Sequence, residues 1–403
     1  MNIIEKYLAQ AAGVPVVSPG DDITVQVDLV VAHDVTGPMA IEEFRKIGVD
    51  RVFDPQKVVF VFDHIIPAAT VEAKTLHNSV KKFQQEFGVI LYDRAQGVIH
   101  QVVAERHRVA PGRVVVGADS HTCTAGAYGA VAIAVGATEL AAAMATGKLD
   151  LEVPETYEIR LTGELAPGVY AKDVILQLIG RFGTDGFTDK AVVYTGDGVQ
   201  GMSLDDKMTI SNMGIEMGAM ISLFATEDDI GLVKETYVID LSALPPSVAC
   251  PHSPGNVKPV AEVAGTKITQ AVIGSCTNGR LSDMRAAAEV LRDRQVHPEV
   301  TLLVVPASVE VLAGMEKEGL TEVFRRAGAI VTNPGCGPCF GAHMGLAAED
   351  DVVVSTTNRN FPGRMGHKKA QVYLASPRTA AESAVTGHLV VPGTVKPVGG
   401  KGS

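Results

Sequence analysis

The length of the chain predicts two or three α/β domains, and its texture divides it into three α/β/α domains with mainly parallel sheets; three observations carry the α/β expectation. Its 403 residues exceed what one hydrophobic core normally serves. β-Branched runs such as VQVDLVVAHD and KVVFVFD alternate with stretches of helical spacing such as IEEFRKIG and ATVEAKTLHNSVKKFQQEFG. A composition of 46% hydrophobic residues with 41 glycines supplies large cores joined by tight turns, which excludes a disordered chain. Strands apolar on both faces belong to parallel sheets covered by helices, because each face must be kept from water.

In chain order, RVVVGADSHTC ends a strand in a polar loop, and the alanine- and glycine-rich run from Ala125 to Gly147 predicts close helix packing. Around LDLEVPETYEIRLTGELAPG the texture turns to extended segments of alternating polarity, followed by the helix pattern DVILQLIGRFG. This change places a first domain at 1–150 and a second at 151–262. SALPPSVACPHSPGNVKPV, rich in proline and poor in helix signals, reads as an ordered connector. A third domain at 263–403 follows, where strand-then-helix units return: TQAVIGSC, DMRAAAEVLRD, TLLVVPA, VEVLAGMEKEG, AIVTNPGC, DVVVSTTN and QVYLASP. Ser376 and Pro377 open the last helix as N-cap and first turn, and Gly387 closes it.

The formal charge of −11 argues against a general affinity for nucleic acid or for anionic membranes, while leaving room for an anionic substrate bound by local arginines. No apolar run reaches transmembrane length and MNIIEKYLAQ lacks the pattern of a secretory signal, so a cytoplasmic protein is expected. Five cysteines, an odd number, suit reduced thiols better than a disulfide scaffold.

Three of those cysteines carry the chemistry. Cys276 in VIGSCTNGR and the pair Cys336 and Cys339 in NPGCGPCFG each follow an apolar strand, and open α/β sheets gather ligands at the carboxyl ends of their strands. Three thiolates leave one position open on a centre that usually takes four ligands, and an open position can act as a Lewis acid toward substrate. A CxxC alone also fits a redox pair or a zinc hook; a third cysteine in a similar strand-to-loop setting weighs against both. The flanking glycines let the backbone wrap a centre closely and turn N–H groups toward it. Cys250 reads as structural and Cys123 as a neighbour of an active site.

Histidines recur beside carboxylates: Asp63 and His64 in FDHIIP, His100 in GVIHQVV, and Asp119, Ser120 and His121 in GADSHT. An adjacent carboxylate raises the basicity of imidazole and fixes its tautomer. Asn212 and Glu216 lie four apart in ISNMGIEMGA, which predicts one shared helix face. NRNFPGRMG presents Arg359 and Arg364 on a glycine-containing loop, where guanidinium forks suit carboxylates.

Across essentially the whole chain, GADSHTCTAGAYGA, ISNMGIEMGA, VIGSCTNGR, NPGCGPCFGAHMG and STTNRNFPGRMG resemble the catalytic large subunits of the aconitase superfamily, in its short isopropylmalate isomerase or homoaconitase form. The resemblance implies domains arranged around a central iron–sulfur cluster cleft. It implies one [4Fe-4S] cluster held by Cys276, Cys336 and Cys339, with one iron left for substrate. Asp63 and His64 match the pair that protonates the departing hydroxyl, Asp119 and His100 a second buried pair, and His121 a histidine near the cluster's bound water. By the same match Asn212 neighbours the cluster, Glu216 lies close to its labile iron, and Asn358 supports its environment. Ser120, Asn358, Arg359 and Arg364 count with the substrate-binding set.

The reaction so implied is reversible dehydration and rehydration of a hydroxy di- or tricarboxylate, with isopropylmalate the first expectation and homoaconitate chemistry the second. Hydration of maleate, citraconate or dimethylmalate is a further alternative. In full-length relatives the carbon-proton base is a serine on a swivelling domain, and nothing after Leu389 encodes one. A small subunit is therefore expected to supply that serine and the specificity loop, and the chain is expected to be inactive alone. An iron-regulated RNA-binding protein is the contrasting reading, disfavoured by the acidic balance, and a structural-zinc protein is another.

Overall fold

A computed structural model describes residues 1–107 and 109–396; the expected third domain's last stretch, 397–403, lies outside the described residues. The chain divides into two compact units, each discontinuous in sequence: unit 1 comprises 1–164 and 185–241, unit 2 comprises 165–184 and 242–403.

Unit 1 holds a five-stranded, all-parallel sheet in the spatial order Ile90–Tyr92, Val58–Val61, Leu29–His33, Val114–Gly117, Val131–Ala134. LVVAH, VVFV and VVVG are buried along their whole length, as expected of strands covered on both faces. The helix Val71–Phe87 starts where the Thr70 side chain accepts the Ala73 N–H and stops at the left-handed Gly88. Its Phe83 meets Phe44 edge-on at 5.3 Å and Phe60 at 5.8 Å, fixing the helix layer to the sheet. The run Ala125–Gly147 contains a strand, Val131–Ala134, as well as the expected helix, Ala137–Thr146. VAIA is short, apolar and β-permissive enough to extend the sheet edge. A four-stranded parallel sheet, ordered Ile221–Phe224, Ala191–Thr195, Thr156–Thr162, Glu235–Asp240, completes the unit with an antiparallel pair, Asp22–Gln26 and Lys148–Glu152, in which Leu151 faces Ile23.

Unit 2 is built on a seven-stranded sheet ordered Val257–Pro259, Ser247–Ala249, Gln371–Leu374, Val352–Ser355, Gln270–Gly274, Thr301–Val305, Ile330–Val331. The five strands from Gln371–Leu374 to Ile330–Val331 are parallel. The proline-rich stretch read as a connector instead contributes two antiparallel strands at the edge. Proline is tolerated there because an edge strand leaves one side of its backbone without a ladder partner. The helix Pro377–Thr386 has the expected ends: Ser376 accepts the Thr379 N–H, Pro377 occupies the first turn and Gly387 is left-handed.

Within each unit the larger parallel sheet follows the same plan. Of the five parallel strands in each, the first in sequence sits in the middle, the next two are added on one side, and the following two on the other. Successive connections therefore leave in opposite directions at the carboxyl ends of Leu29–His33 and Val114–Gly117 in unit 1, and of Gln270–Gly274 and Val352–Ser355 in unit 2. A crevice opens at such a point without any side chain having to be removed. Among the described residues no helix is long and apolar enough to cross a membrane.

Candidate active site

The histidines and carboxylates of unit 1 collect at its switch point. His33 ends its strand, Asp63 and His64 lie just beyond Val58–Val61, and Asp119 lies just beyond Val114–Gly117. Asp63 Oδ1 is 2.6 Å from His64 Nδ1, while its Oδ2 accepts the Ile99 N–H at 2.7 Å. Asp119 Oδ1 pairs with His100 Nε2 at 2.8 Å and accepts the His121 N–H at 2.7 Å; Oδ2 lies 3.4 Å from His33 Nε2 and 3.8 Å from His64 Nε2. His121 reaches Glu216 through Nε2 at 2.9 Å, and the half-buried Ser120 Oγ is 3.3 Å from His121 Nδ1.

Asp34 organises this arrangement from below. Its carboxylate accepts the N–H groups of Asp63, His64 and Ile65 at 3.2, 2.9 and 2.8 Å, and meets His77 Nε2 at 3.1 Å. His77 in turn stacks on Phe62 with ring centroids 4.3 Å apart. His33, Asp34, Asp63 and His64 have ligand atoms within 4.8 Å of one another. Both carboxylates are nevertheless committed to backbone and imidazole donors, so the group is a hydrogen-bond network that fixes imidazoles.

The stacked rings of His33 and His64, 3.8 Å apart, respond in opposite senses. Burial works against charge on His64, but Asp63, Asp119 and Asp34 overcome it and lift the pKa to about 9. For His33 burial dominates, the neighbouring His64 adds to it, and the pKa falls to about 4. One imidazole is thus held cationic and its neighbour neutral at pH 7. Burial opposes the charge on Asp119 as well, yet His100 and His121 hold its carboxyl well below the usual range. The network therefore holds a proton on His64 next to anionic carboxylates, which is what a general acid for an oxyanion or hydroxyl requires.

Asn212 and Glu216 do not share a helix. Asn212 is the last residue of the helix Leu204–Asn212, and Glu216 belongs to the 3₁₀ turn Met213–Met217 that follows. Close approach explains the break: a Cβ on Gly214 would collide with the Ser222 side chain, so the chain tightens against the strand Ile221–Phe224. Glu216 is buried on His121, and Asn212 donates to Thr124 Oγ1 at 2.8 Å. Cys123 lies beside them, its sulfur 3.4 Å from the Asn212 carbonyl.

In unit 2 the three expected cysteines are reduced and buried. Cys276 follows Gln270–Gly274 after Ser275, which adopts a left-handed φ of 76°. Cys336 and Cys339 follow Ile330–Val331 and are turned by Gly337 at φ 61°, with the Cys339 N–H 3.4 Å from the Cys336 carbonyl. Asn358, beyond Val352–Ser355, links the motifs: its Nδ2 donates to Cys276 Sγ at 3.3 Å and to Thr277 Oγ1 at 3.1 Å, and its Oδ1 is 3.6 Å from Cys339 Sγ. Arg364 Nη2 stands 4.0 Å from Cys339 Sγ, and Arg359 is half-buried on the same loop. Cys250 lies apart in this unit, its carbonyl accepting from Asn360 Nδ2 at 2.9 Å.

The donor set suits a sulfur-ligated iron centre. Soft thiolates select iron–sulfur clusters or zinc, all three are free of disulfides, and one amide touches two of the sulfurs. Arg280, 1% exposed, braces the loop after Gln270–Gly274 by donating to the carbonyls of Cys276 and Thr277 at 2.8 and 2.7 Å.

His33, Asp34, His77, Lys172 and Arg280 were not anticipated from sequence. The dipeptide His33–Asp34 at a strand end carried the same signal as Asp63–His64 and could have been found. His77 and Lys172 sit in helical patterns that give no such signal.

Fold and side chains together define a mainly parallel α/β protein with a histidine–carboxylate network in one unit and three buried cysteines in the other. The chain belongs to the aconitase family (aconitate hydratase), whose profile matches residues 4–231 and 233–387. It is 47% identical over 409 residues to the 3-isopropylmalate dehydratase large subunit 1 of Methanopyrus kandleri, spanning 96% of this chain and 98% of that one. It is 46% identical over 417 residues to a probable methanogen homoaconitase large subunit of Methanothermobacter thermautotrophicus, spanning 97% of each. Its fold is shared with the crystal structure of Thermococcus kodakaraensis aconitase X in the holo form, at a TM-score of 0.54 and 13% identity, over 91% of this chain and 93% of that one.

Proposed function

We propose that this chain is the large subunit of an isopropylmalate dehydratase, interconverting 3- and 2-isopropylmalate by loss and readdition of water. The observation that carries the reading is near-full-length identity of 47% and 44% to relatives bearing that name. A [4Fe-4S] cluster on Cys276, Cys336 and Cys339 would supply Lewis acidity toward hydroxyl and carboxylate oxygens. His64, kept cationic by Asp63, gives its proton to the departing hydroxyl, and Asp34 holds the backbone from which both side chains project. Asp119 with His100, and Glu216 with His121, form two further pairs that orient imidazoles and accept a proton on return. Arg359 and Arg364 bind substrate carboxylate, with Ser120 and Asn358 as further polar contacts. Asn358 also holds the sulfurs in register, and Asn212 fixes the turn that carries Glu216.

The base that removes the carbon-bound proton is assigned to a small subunit, in keeping with the relatives' designation as large subunits. That partner would supply a serine and the loop that selects the substrate side chain. Homoaconitase activity is the second reading, favoured by the 46% identity to a relative so named. Anaerobic reconstitution with iron, sulfide and the small subunit, followed by assay of isopropylmalate, homocitrate, citraconate and maleate, decides between them. Turnover of isopropylmalate is the expected result; turnover of homocitrate alone overturns it.

A further inference from the structure

Lys172 is 0% exposed, and its burial is unusual in kind. A lysine is rarely enclosed without an anionic partner, because an ammonium removed from water loses the solvation that stabilises its charge. Here Nζ meets the carbonyls of Thr356 and Thr357 at 2.7 and 2.6 Å and Asn278 Oδ1 at 3.3 Å. All three acceptors are neutral. They match the three N–H bonds of an ammonium, whereas a neutral amine offers two.

The carboxylates nearby point elsewhere. Asp173 accepts the N–H groups of Tyr170 and Ser247, both at 2.8 Å, and Asp283 accepts from Asn278 Nδ2 and the Arg280 N–H at 3.0 and 2.9 Å. Burial draws the Lys172 pKa down to about 7, and Asp283, Cys339 and Cys276 act in the opposite direction. Thr357 immediately precedes Asn358, whose amide touches the sulfurs of Cys276 and Cys339, while Asn278 lies two residues after Cys276. The two turns are laced further by Thr356 Oγ1, which accepts the Gly274 N–H at 2.9 Å and donates to the Gly274 carbonyl at 3.1 Å.

We propose that Lys172 is the fixed cation of the thiolate pocket: a positioning residue that ties the turn at Thr356–Asn358 to the loop at Cys276–Arg280 and offsets the negative charge of a sulfur-bound iron centre. This rests on the reading of Cys276, Cys336 and Cys339 as cluster ligands. A helix from 165–184 is thereby enlisted in the cofactor site although none of its residues is a ligand.

The test compares Lys172→Gln, which keeps a hydrogen-bond donor and removes the charge, with Lys172→Met, which removes both. Each is reconstituted anaerobically beside the unsubstituted chain. Two readouts are taken: the cluster's midpoint potential, and the rate of iron release to a chelator. Loss of a nearby positive charge disfavours the added electron, so both variants are expected to shift the potential negative. Iron release is expected to quicken by about tenfold or more, the scale on which outer-shell partners act. Unchanged potential and release in both variants overturn the proposal, as does a change confined to Lys172→Met, which would assign the role to hydrogen bonding alone. An unsubstituted chain that takes up zinc without acid-labile sulfide would instead sink the reading of the cysteines.

Discussion

Units 1 and 2 use one sheet plan for two chemistries. In each, the first of five parallel strands lies at their centre and the chain reverses its direction of growth beside it. At that reversal unit 1 gathers four histidines around Asp119: His33, His64, His100 and His121. At the equivalent reversal unit 2 brings Cys276 and Cys339 onto Asn358. The backbone creates a place where strand ends converge, and the residues just after the strands decide what the place can do. The supports differ too. Unit 1 is organised by anions, with Asp34 and Asp119 accepting from imidazole and backbone donors. In unit 2 the supports are the basic side chains Lys172 and Arg280, which donate to the carbonyls of Thr356 and Thr357 and of Cys276 and Thr277. Carboxylates favour charge on His64, and basic side chains would favour thiolates at the cysteines, so the supports of the two units differ in sign.

The sharpest break between the units comes from Cys336→Ser. It should remove iron and sulfide binding and reduce turnover below detection while leaving the α/β secondary structure in place; retained turnover with the small subunit present would dissociate unit 2 from the chemistry. Asp63→Asn should do the reverse, retaining the cluster's visible absorption while kcat falls by about 10²- to 10⁴-fold, the usual contribution of a general acid. Asp34→Asn should leave the acid present but loosely aimed, at a cost of about 10²-fold in kcat, again with normal iron content.

A smaller effect separates the two stacked histidines. His64 is raised from 6.5 to about 9, so activity that needs its proton should hold through neutral pH and fall as pH rises through about 9. The stability linked to that proton is complete below 6.5 and lost over the same upper interval, because the folded state binds it more tightly than the unfolded chain. His33, lowered to about 4, contributes stability that is complete above 6.5 and lost as pH falls through about 4. Rate profiles and thermal midpoints against pH measure both limbs. A basic limb unmoved by Asp63→Asn would detach it from His64. The least effect is expected at the surface pair Arg45–Glu86, each side chain 48% exposed: Arg45→Ala should cost less than about 1 kcal/mol in chemical unfolding.

Much of this molecule was legible before its coordinates. The two larger sheets announce their parallel strands as apolar β-branched runs, and Ser376, Pro377 and Gly387 bound the last helix where their backbone preferences put them. The three cysteines and the pairs Asp63–His64 and Asp119–His121 stand out because reactive residue types cluster at strand ends. The antiparallel strands Ser247–Ala249 and Val257–Pro259 escaped notice, since proline and small polar residues suppress every local strand signal and pairing with a neighbour forms them anyway. The shared helix for Asn212 and Glu216 failed for a related reason: spacing of four describes an isolated helix, and packing of Gly214 against Ser222 overrode it.

Residue order alone determined the element types, the thiol trio and the carboxylate-flanked imidazoles, because backbone propensity and side-chain chemistry are properties of short segments. Only tertiary structure decided that Asp119 serves four imidazoles, that Asp34 carries the backbone of the 63–65 turn, and that a lysine more than a hundred residues before Asn278 is shut in beside it. Those facts depend on strands far apart in sequence ending side by side, and on burial turning ordinary polar contacts into ones that fix charge.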